Sequence, residues 1–286
     1  MGVSDASDSR LAQLGRWVFD DLGFAGGAIA PASADASFRR YFRLTREADS
    51  YIVMDAPPDK ENLGPFLGVA AILAQMGLNV PAVLAKDLTR GFLLLSDLGT
   101  RMYLDELADG AVDWLYADAL AALRTMQTAG GNAGDLPHYS HALLMREMEL
   151  MPEWFLQRHL GLNVTAAERG MLDRLFETQA QAALAQPMSL VHRDYHSRNL
   201  LVTATNNPGI LDFQDAVWGP VTYDLASLLK DCYIVWPASR VREWALNHRE
   251  QLLVGGFALK ASESEFIRWF DLIGLQRHIK VLGIFA

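Results

Sequence analysis

With 286 residues, 51% of them hydrophobic and 21% charged, the chain has enough apolar surface to bury a sizeable core, which excludes a disordered or fibrous protein. Its 34 acidic residues against 25 basic ones give a formal charge of −9, and no basic run offsets it, so neither nucleic acid nor an anionic membrane surface is an expected partner. The sole cysteine, Cys232, excludes an intrachain disulfide, the polar start Met1 to Arg10 lacks a secretory apolar core, and no apolar run approaches the roughly 20 residues of a bilayer span, so a cytoplasmic protein is expected.

The spacing of Leu11, Leu14, Trp17, Val18 and Leu22 predicts an amphipathic helix over Arg10 to Leu22, stopped by Gly23. Strand-like segments follow at Ala28 to Ser33, Phe38 to Leu44 and Tyr51 to Asp55, and short polar turns between them predict an antiparallel meander. Pro57 and Pro58 end the third strand, a helix is expected over Asn62 to Met76, and two more strands over Ala82 to Asp87 and Gly91 to Leu95. Beyond Gly99 the sequence turns to Leu, Ala, Met, Glu and Arg at helical intervals as far as about Ala185, interrupted at Gly130 to Pro137 and Gly161 to Thr165. Short strands are expected at Ser189 to Val191, Leu200 to Thr203 and Ile210 to Phe213, with a turn at Asn206 to Gly209 and helices again from Tyr223.

Those last strands frame the chemistry. In His192-Arg193-Asp194-Tyr195-His196-Ser197-Arg198-Asn199, an Asp and an Asn stand five residues apart in a loop between two strands, and Asp212-Phe213-Gln214 follows one hairpin later. Phosphoryl transfer needs this combination: a carboxylate to orient and deprotonate an attacking hydroxyl, and hard oxygen ligands for a Mg²⁺ that bridges phosphates. Asp194 suits the first role, Asn199 and Asp212 the second, and His192 suits a structural role that holds the loop by hydrogen bonds. The compound spacing is far more specific than any one of its parts.

His192 to Asn199 and Asp212 to Asp215 resemble the catalytic and metal-binding motifs of the aminoglycoside phosphotransferase and choline kinase-like family, relatives of protein kinases. Asp224 in Tyr223-Asp224-Leu225-Ala226 resembles the acidic residue after that family's metal loop, and Ser96-Asp97-Leu98-Gly99 stands where its hinge offers backbone groups to adenine. More narrowly, Ala36-Ser37-Phe38-Arg39-Arg40-Tyr41-Phe42, Val53 to Pro58, Glu153-Trp154 and Asp212 to Ala216 look like bacterial anomeric amino-sugar kinases of cell-wall recycling, which phosphorylate the C1 hydroxyl of N-acetylmuramate and N-acetylglucosamine. The resemblance implies an α+β, two-lobed protein-kinase-like fold, with a sheet-bearing nucleotide lobe and its leading helix over residues 1–98 and a helical catalytic and acceptor lobe over 99–286. It implies ATP and Mg²⁺ as cofactors and a small-molecule sugar as acceptor, and it carries no sign of an oligomeric state. Because relatives continue beyond the apolar segment Arg277 to Ala286 where this chain stops, a shortened last lobe is among the expectations.

One departure stands out. Where the wider family carries a basic residue on its third strand for the ATP phosphates, the following Pro-Pro aligns Asp55, and a carboxylate cannot do that work. The positive charge then has to come from elsewhere, with Arg39, Arg40, Arg43 or Lys60 the nearest sources; strand alternation puts Arg40 on the face opposite Arg39 and Arg43. Glu61 can mimic the kinase helix glutamate or act as a helix-start charge. The turn Ala34 to Ser37 lacks phosphate-loop glycines, yet its amides and the Ser37 hydroxyl can contact phosphate. The nucleotide candidates are thus Ser37, Arg39, Arg40, Asp97 and Leu98.

For the acceptor, Arg146 to His159 offers Glu147, Trp154 and Arg158 as hydrogen-bonding and stacking groups, His196 flanks the catalytic motif, and Arg158 or Arg198 can receive the lactyl carboxylate of N-acetylmuramate. Two other readings stay open: a phosphotransferase for an aminoglycoside, aminoalcohol or different sugar, and a non-catalytic kinase-shaped binder, suggested by Asp55.

Overall fold

The computed structural model describes residues 4–34, 38–107, 112–129 and 136–286. Contacts divide the chain into two compact units, Met1–Ala74 with Val80–Gly99 and Gln75–Asn79 with Thr100–Ala286.

The first unit opens with α1 (Ser4–Arg16), which runs into a single π-helical stretch, Trp17–Asp21, so the expected helix exists but widens at its end. Strands β1 (Ala28–Ala34), β2 (Arg40–Arg46) and β3 (Asp49–Asp55), helix α2 (Leu63–Gln75), and strands β4 (Val83–Asp87) and β5 (Phe92–Ser96) complete it. The sheet order is β1-β2-β3-β5-β4, antiparallel at every pairing. The register sorts the side chains by face. Phe42 pairs with Val53 and Leu44 with Tyr51, and Phe42, Leu44, Val53, Phe92 and Leu94 form one core with Leu14, Trp17 and Val18 of the leading helix. Full burial of each such side chain contributes about 1.5–3 kcal/mol, enough to fix the helix on this face. Asp55 pairs with Arg40 in the same register series and therefore shares it. Gly91 closes the β4–β5 turn at φ +75°, where a Cβ would stand 2.0 Å from the Ala56 carbonyl oxygen; only glycine fits there.

The second unit contains α3 (Tyr103–Glu106), α4 (Val112–Thr128), α5 (His141–Leu150) with a π-helical extension Met151–His159, and α6 (Ala166–Leu184), which starts on a reciprocal Thr165–Glu168 capping box. Strands β6 (Met188–Val191), β7 (Leu200–Leu201), β8 (Gly209–Ile210) and β9 (Val217–Pro220) precede α7 (Tyr223–Leu229), α8 (Ala238–Val254) and α9 (Glu263–Ile284). β9, unforeseen because Gly219 and Pro220 weaken its strand signal, pairs antiparallel with β6, while β7 pairs with β8. α9 packs against α5, α6, α7 and α8. Its Gly283 lies so close to Leu150 that a Cβ would come within 2.3 Å of that residue's carbonyl carbon. No described helix is long and apolar enough to cross a membrane.

Candidate active site

Residues 192–199 connect β6 to β7, and residues 211–216 connect β8 to β9. The β7–β8 hairpin therefore returns the second loop beside the first. The Asn199 side-chain amide donates to the Asp194 backbone carbonyl at 3.0 Å and to Asp212 Oδ2 at 3.3 Å. A backbone bond from Leu211 N–H to the Asn199 carbonyl, 2.9 Å, locks the two loops together. Asp212 does not end a strand as expected; it adopts φ +60° two positions past β8, and Gln214 Nε2 donates to its Oδ1 at 2.7 Å. Arg193, next to Asp194, is also left-handed at φ +78°, a conformation that surrounding contacts must enforce.

Those contacts are visible. Asp224, fully buried on α7, accepts the backbone N–H groups of His192 at 2.6 Å and Arg193 at 3.0 Å. The His192 ring accepts the Asp194 N–H on Nδ1, 3.3 Å, and its Nε2 lies 2.9 Å from the Leu211 carbonyl, which defines the tautomer with the proton on Nε2. His192 thus joins both loops. Tyr195 OH donates to the Ala119 carbonyl of α4 at 2.8 Å, and Asp231, just past α7, accepts both the N–H and the hydroxyl of Ser197.

A buried charge cluster braces the same loop from α5 and α9. Glu147 bonds to the Arg193 guanidinium and to Tyr139 OH, lies 3.3 Å from Lys280 Nζ, and is reached by Gln276 at 3.4 Å. Arg277 Nη1 donates to the Arg193 carbonyl at 2.7 Å. Burial alone would raise both carboxyls, but Lys280 with Arg193 holds Glu147 below its ordinary range, and Lys280 with Arg277 does the same for Asp194. Asp194 is accordingly a carboxylate at neutral pH, ready to accept a proton. Glu147 was expected to meet the acceptor; its oxygens are instead spent inside the protein, holding Arg193.

The remaining acceptor candidates separate. Trp154 and Arg158 form their own half-exposed stack, guanidinium 3.9 Å from the ring centroid, with Arg158 paired to Glu153 at 2.7 Å. His196 lies beside Asp194, its ring edge-on to Tyr233 at 5.5 Å, with a buried Nδ1 that has no hydrogen-bond partner among the described residues. Burial pushes its pKa down against the pull of Asp231 and Asp194. Arg198 is exposed and rests over the Tyr233 ring at 4.9 Å.

In the first unit, Asp55 is wholly buried and bridged by Arg10 of α1 and Arg40 of β2. Arg40 is therefore a structural partner of Asp55, not a nucleotide ligand, and Asp55 sits on the sheet face that packs α1. Arg39, on the opposite face by alternation, lies 3.8 Å from Glu61 just before α2, and Glu61 also accepts the Phe38 N–H at 3.2 Å. Glu61 thus has the cationic partner that the sequence did not reveal. Arg43 binds Asp97 through two nitrogens, at 2.6 and 3.2 Å, and the Gly99 N–H donates to Asp97 at 2.9 Å. Burial would raise the Asp97 carboxyl, but Arg43 and this N–H hold it below its ordinary value. The Asp97 side chain is consequently a brace for the Ser96 to Gly99 segment, leaving backbone groups of Asp97 and Leu98 as the nucleotide candidates. Ser37 lies outside the described residues.

Asn199 and Asp212 present hard oxygen donors, a set that suits Mg²⁺ with waters and phosphate oxygens completing its shell. Among the described residues, no cluster of three or more His, Cys, Asp or Glu forms another metal cage.

Comparison with known proteins agrees with this chemistry. The chain is 46% identical over 289 residues to an N-acetylmuramate/N-acetylglucosamine kinase of Pseudomonas putida, covering 98% of this chain and 85% of that protein. A protein of the same name from Neisseria meningitidis is 41% identical, covering 89% and 77% respectively. An ADP-bound aminoglycoside phosphotransferase superposes with a TM-score of 0.61 at 16% identity over 94% of this chain and 98% of its own. A Plasmodium vivax ethanolamine kinase gives 0.66 at 11% identity over 95% and 80%. These neighbours share the two-lobed, α+β kinase-like fold. Residues 28–261 match the phosphotransferase enzyme family, and the chain belongs to that family.

Proposed function

We propose that this chain is a cytoplasmic kinase that uses Mg-ATP to phosphorylate the anomeric hydroxyl of N-acetylmuramate and N-acetylglucosamine. The observation that carries the phosphotransfer reading is the gathering of Asp194, Asn199 and Asp212 in two neighbouring loops, with the Asn199 amide bonded to the Asp194 backbone carbonyl and to the Asp212 carboxylate. The acceptor rests on relatives 41–46% identical over most of the chain that bear that name.

In the reaction, Asp194 accepts a hydrogen bond from the sugar hydroxyl, orients its oxygen toward the γ-phosphorus and receives its proton as the new O–P bond forms. The bond from the γ-phosphorus to the bridging oxygen breaks and ADP leaves, with no phosphoenzyme between. Lys280 and Arg277 keep Asp194 ionised beforehand. Asn199 and Asp212 would hold Mg²⁺, which when bound neutralises phosphate charge. Arg39, steadied by Glu61, replaces the basic group missing at position 55 and meets the phosphates, while backbone groups of Asp97 and Leu98 receive adenine. The case for a non-catalytic binder weakens with Asp55, whose charge is already neutralised by Arg10 and Arg40.

A panel of acceptors with γ-labelled ATP tests the reading. Label should move to N-acetylmuramate and N-acetylglucosamine in preference to aminoglycosides, choline and ethanolamine; transfer to one of these amines and to neither sugar would overturn it.

A further inference from the structure

The two proposed acceptors differ by one charged group, since N-acetylmuramate carries a lactyl carboxylate where N-acetylglucosamine has a hydroxyl. An enzyme that takes both needs a cation that engages the first without obstructing the second. Most cations near the catalytic loop are already committed. Arg193 and Lys280 face Glu147, Arg277 donates to the Arg193 carbonyl and covers the Tyr223 ring at 4.8 Å, and Arg158 is paired with Glu153.

Arg198 differs from all of them. It belongs to the catalytic loop, four positions past Asp194, and is exposed. No carboxylate pairs with it among the described residues, and its guanidinium lies 4.9 Å from the centroid of the Tyr233 ring. Its neighbour Asn199 directs its amide to Asp212, whereas Arg198 packs over Tyr233, so the two side chains serve different places. A guanidinium laid on an aromatic face loses little rotamer freedom on gaining a partner and keeps its planar fork for a carboxylate.

A second observation marks the same spot as a ligand site. The His196 ring stands edge-on to this same aromatic group, 5.5 Å between centroids, and its buried Nδ1 has no partner among the described residues. An orphaned buried nitrogen is costly unless a ligand satisfies it. Arg198, Tyr233 and His196 together offer a cation, an aromatic platform and an unused polar atom beside Asp194, a set matched to an acidic sugar.

Resting on the kinase reading above, we propose that Arg198, held by Tyr233, is the specificity residue that binds the lactyl carboxylate of N-acetylmuramate. Arg198→Ala should lower the ratio of kcat/KM for N-acetylmuramate to that for N-acetylglucosamine by about tenfold to a hundredfold, the range of a lost charge-assisted hydrogen bond. The shift should lie mainly in the KM for N-acetylmuramate. Arg198→Lys, which keeps charge and loses the fork, should recover part of the ratio. In an enzyme active on both sugars, an unmoved ratio, including equal losses on the two, would overturn the assignment and place Arg198 on the phosphates or in the loop scaffold. Failure of the parent protein to phosphorylate either sugar would instead sink the kinase reading, and this assignment with it.

Discussion

Replacing Glu147 with Gln keeps the side chain's size and an acceptor for Tyr139, but removes the negative charge that faces Arg193 and Lys280. The separation from Lys280 Nζ is 3.3 Å, which at an effective dielectric near 20 corresponds to about 5 kcal/mol of attraction. Relief of the carboxylate's own desolvation offsets part of this, and a net loss of about 3 kcal/mol falls at the lower end of what breaking a buried pair costs. For a unit of this size, each kcal/mol moves Tm by roughly 2–4 °C, so calorimetry on Glu147→Gln should show a drop of about 6–12 °C. Adding Lys280→Met removes one of the two cations that lose their counter-charge and should restore some of the loss, an energetic coupling readable from the double-mutant cycle. A Glu147→Gln protein that melts within about 1 °C of the parent would refute the placement of Glu147 as an internal brace.

Arg39→Ala should raise the KM for ATP by about tenfold or more, the scale of a lost charge-assisted contact, while Arg40→Ala should lower Tm and leave that KM within about threefold; steady-state kinetics with the reverse pattern would exchange their roles. His248 is buried against Gln127 at 2.8 Å and burial pushes its pKa down to about 3. The unfolded chain gains this proton below about pH 6.5 and the folded chain does not, so stability present above pH 6.5 falls as pH drops toward 3, by up to about 1.4 kcal/mol per unit. Denaturant titrations at pH 7, 6 and 5 should show that slope, and His248→Gln should flatten it between pH 6.5 and 5; equal slopes in the two proteins would contradict the burial argument.

What the sequence made legible was local. Asp194, Asn199 and Asp212 stand close along the chain and are joined by one hairpin, so their meeting follows from spacing. The pairing of the first three strands follows similarly from short turns, whereas α2 separates β3 from β4 along the chain and β5, not β4, lies beside β3. Long-range partners were not legible. Arg10 reaches Asp55 across 45 positions, Glu147 reaches Lys280 and Gln276 from another helix, and Asp231 reaches Ser197 across 34. No periodicity encodes such pairs. Residue type also misled where burial reversed its meaning: Glu147 and Arg40 looked like surface ligands and serve as internal counter-charges. For Asp55, the strand register of β2 and β3 decides which face it occupies, and it turns an apparent catalytic defect into an anchor for α1.

The most direct test of the account is Asp194→Asn, assayed for turnover of Mg-ATP with N-acetylmuramate alongside nucleotide binding by calorimetry. Loss of the proton acceptor should lower kcat by about a hundredfold to ten-thousandfold while the Kd for ATP stays within a few-fold. A kcat within about threefold of the parent would contradict Asp194 as the base, and with it the phosphoryl-transfer chemistry assigned to the loop.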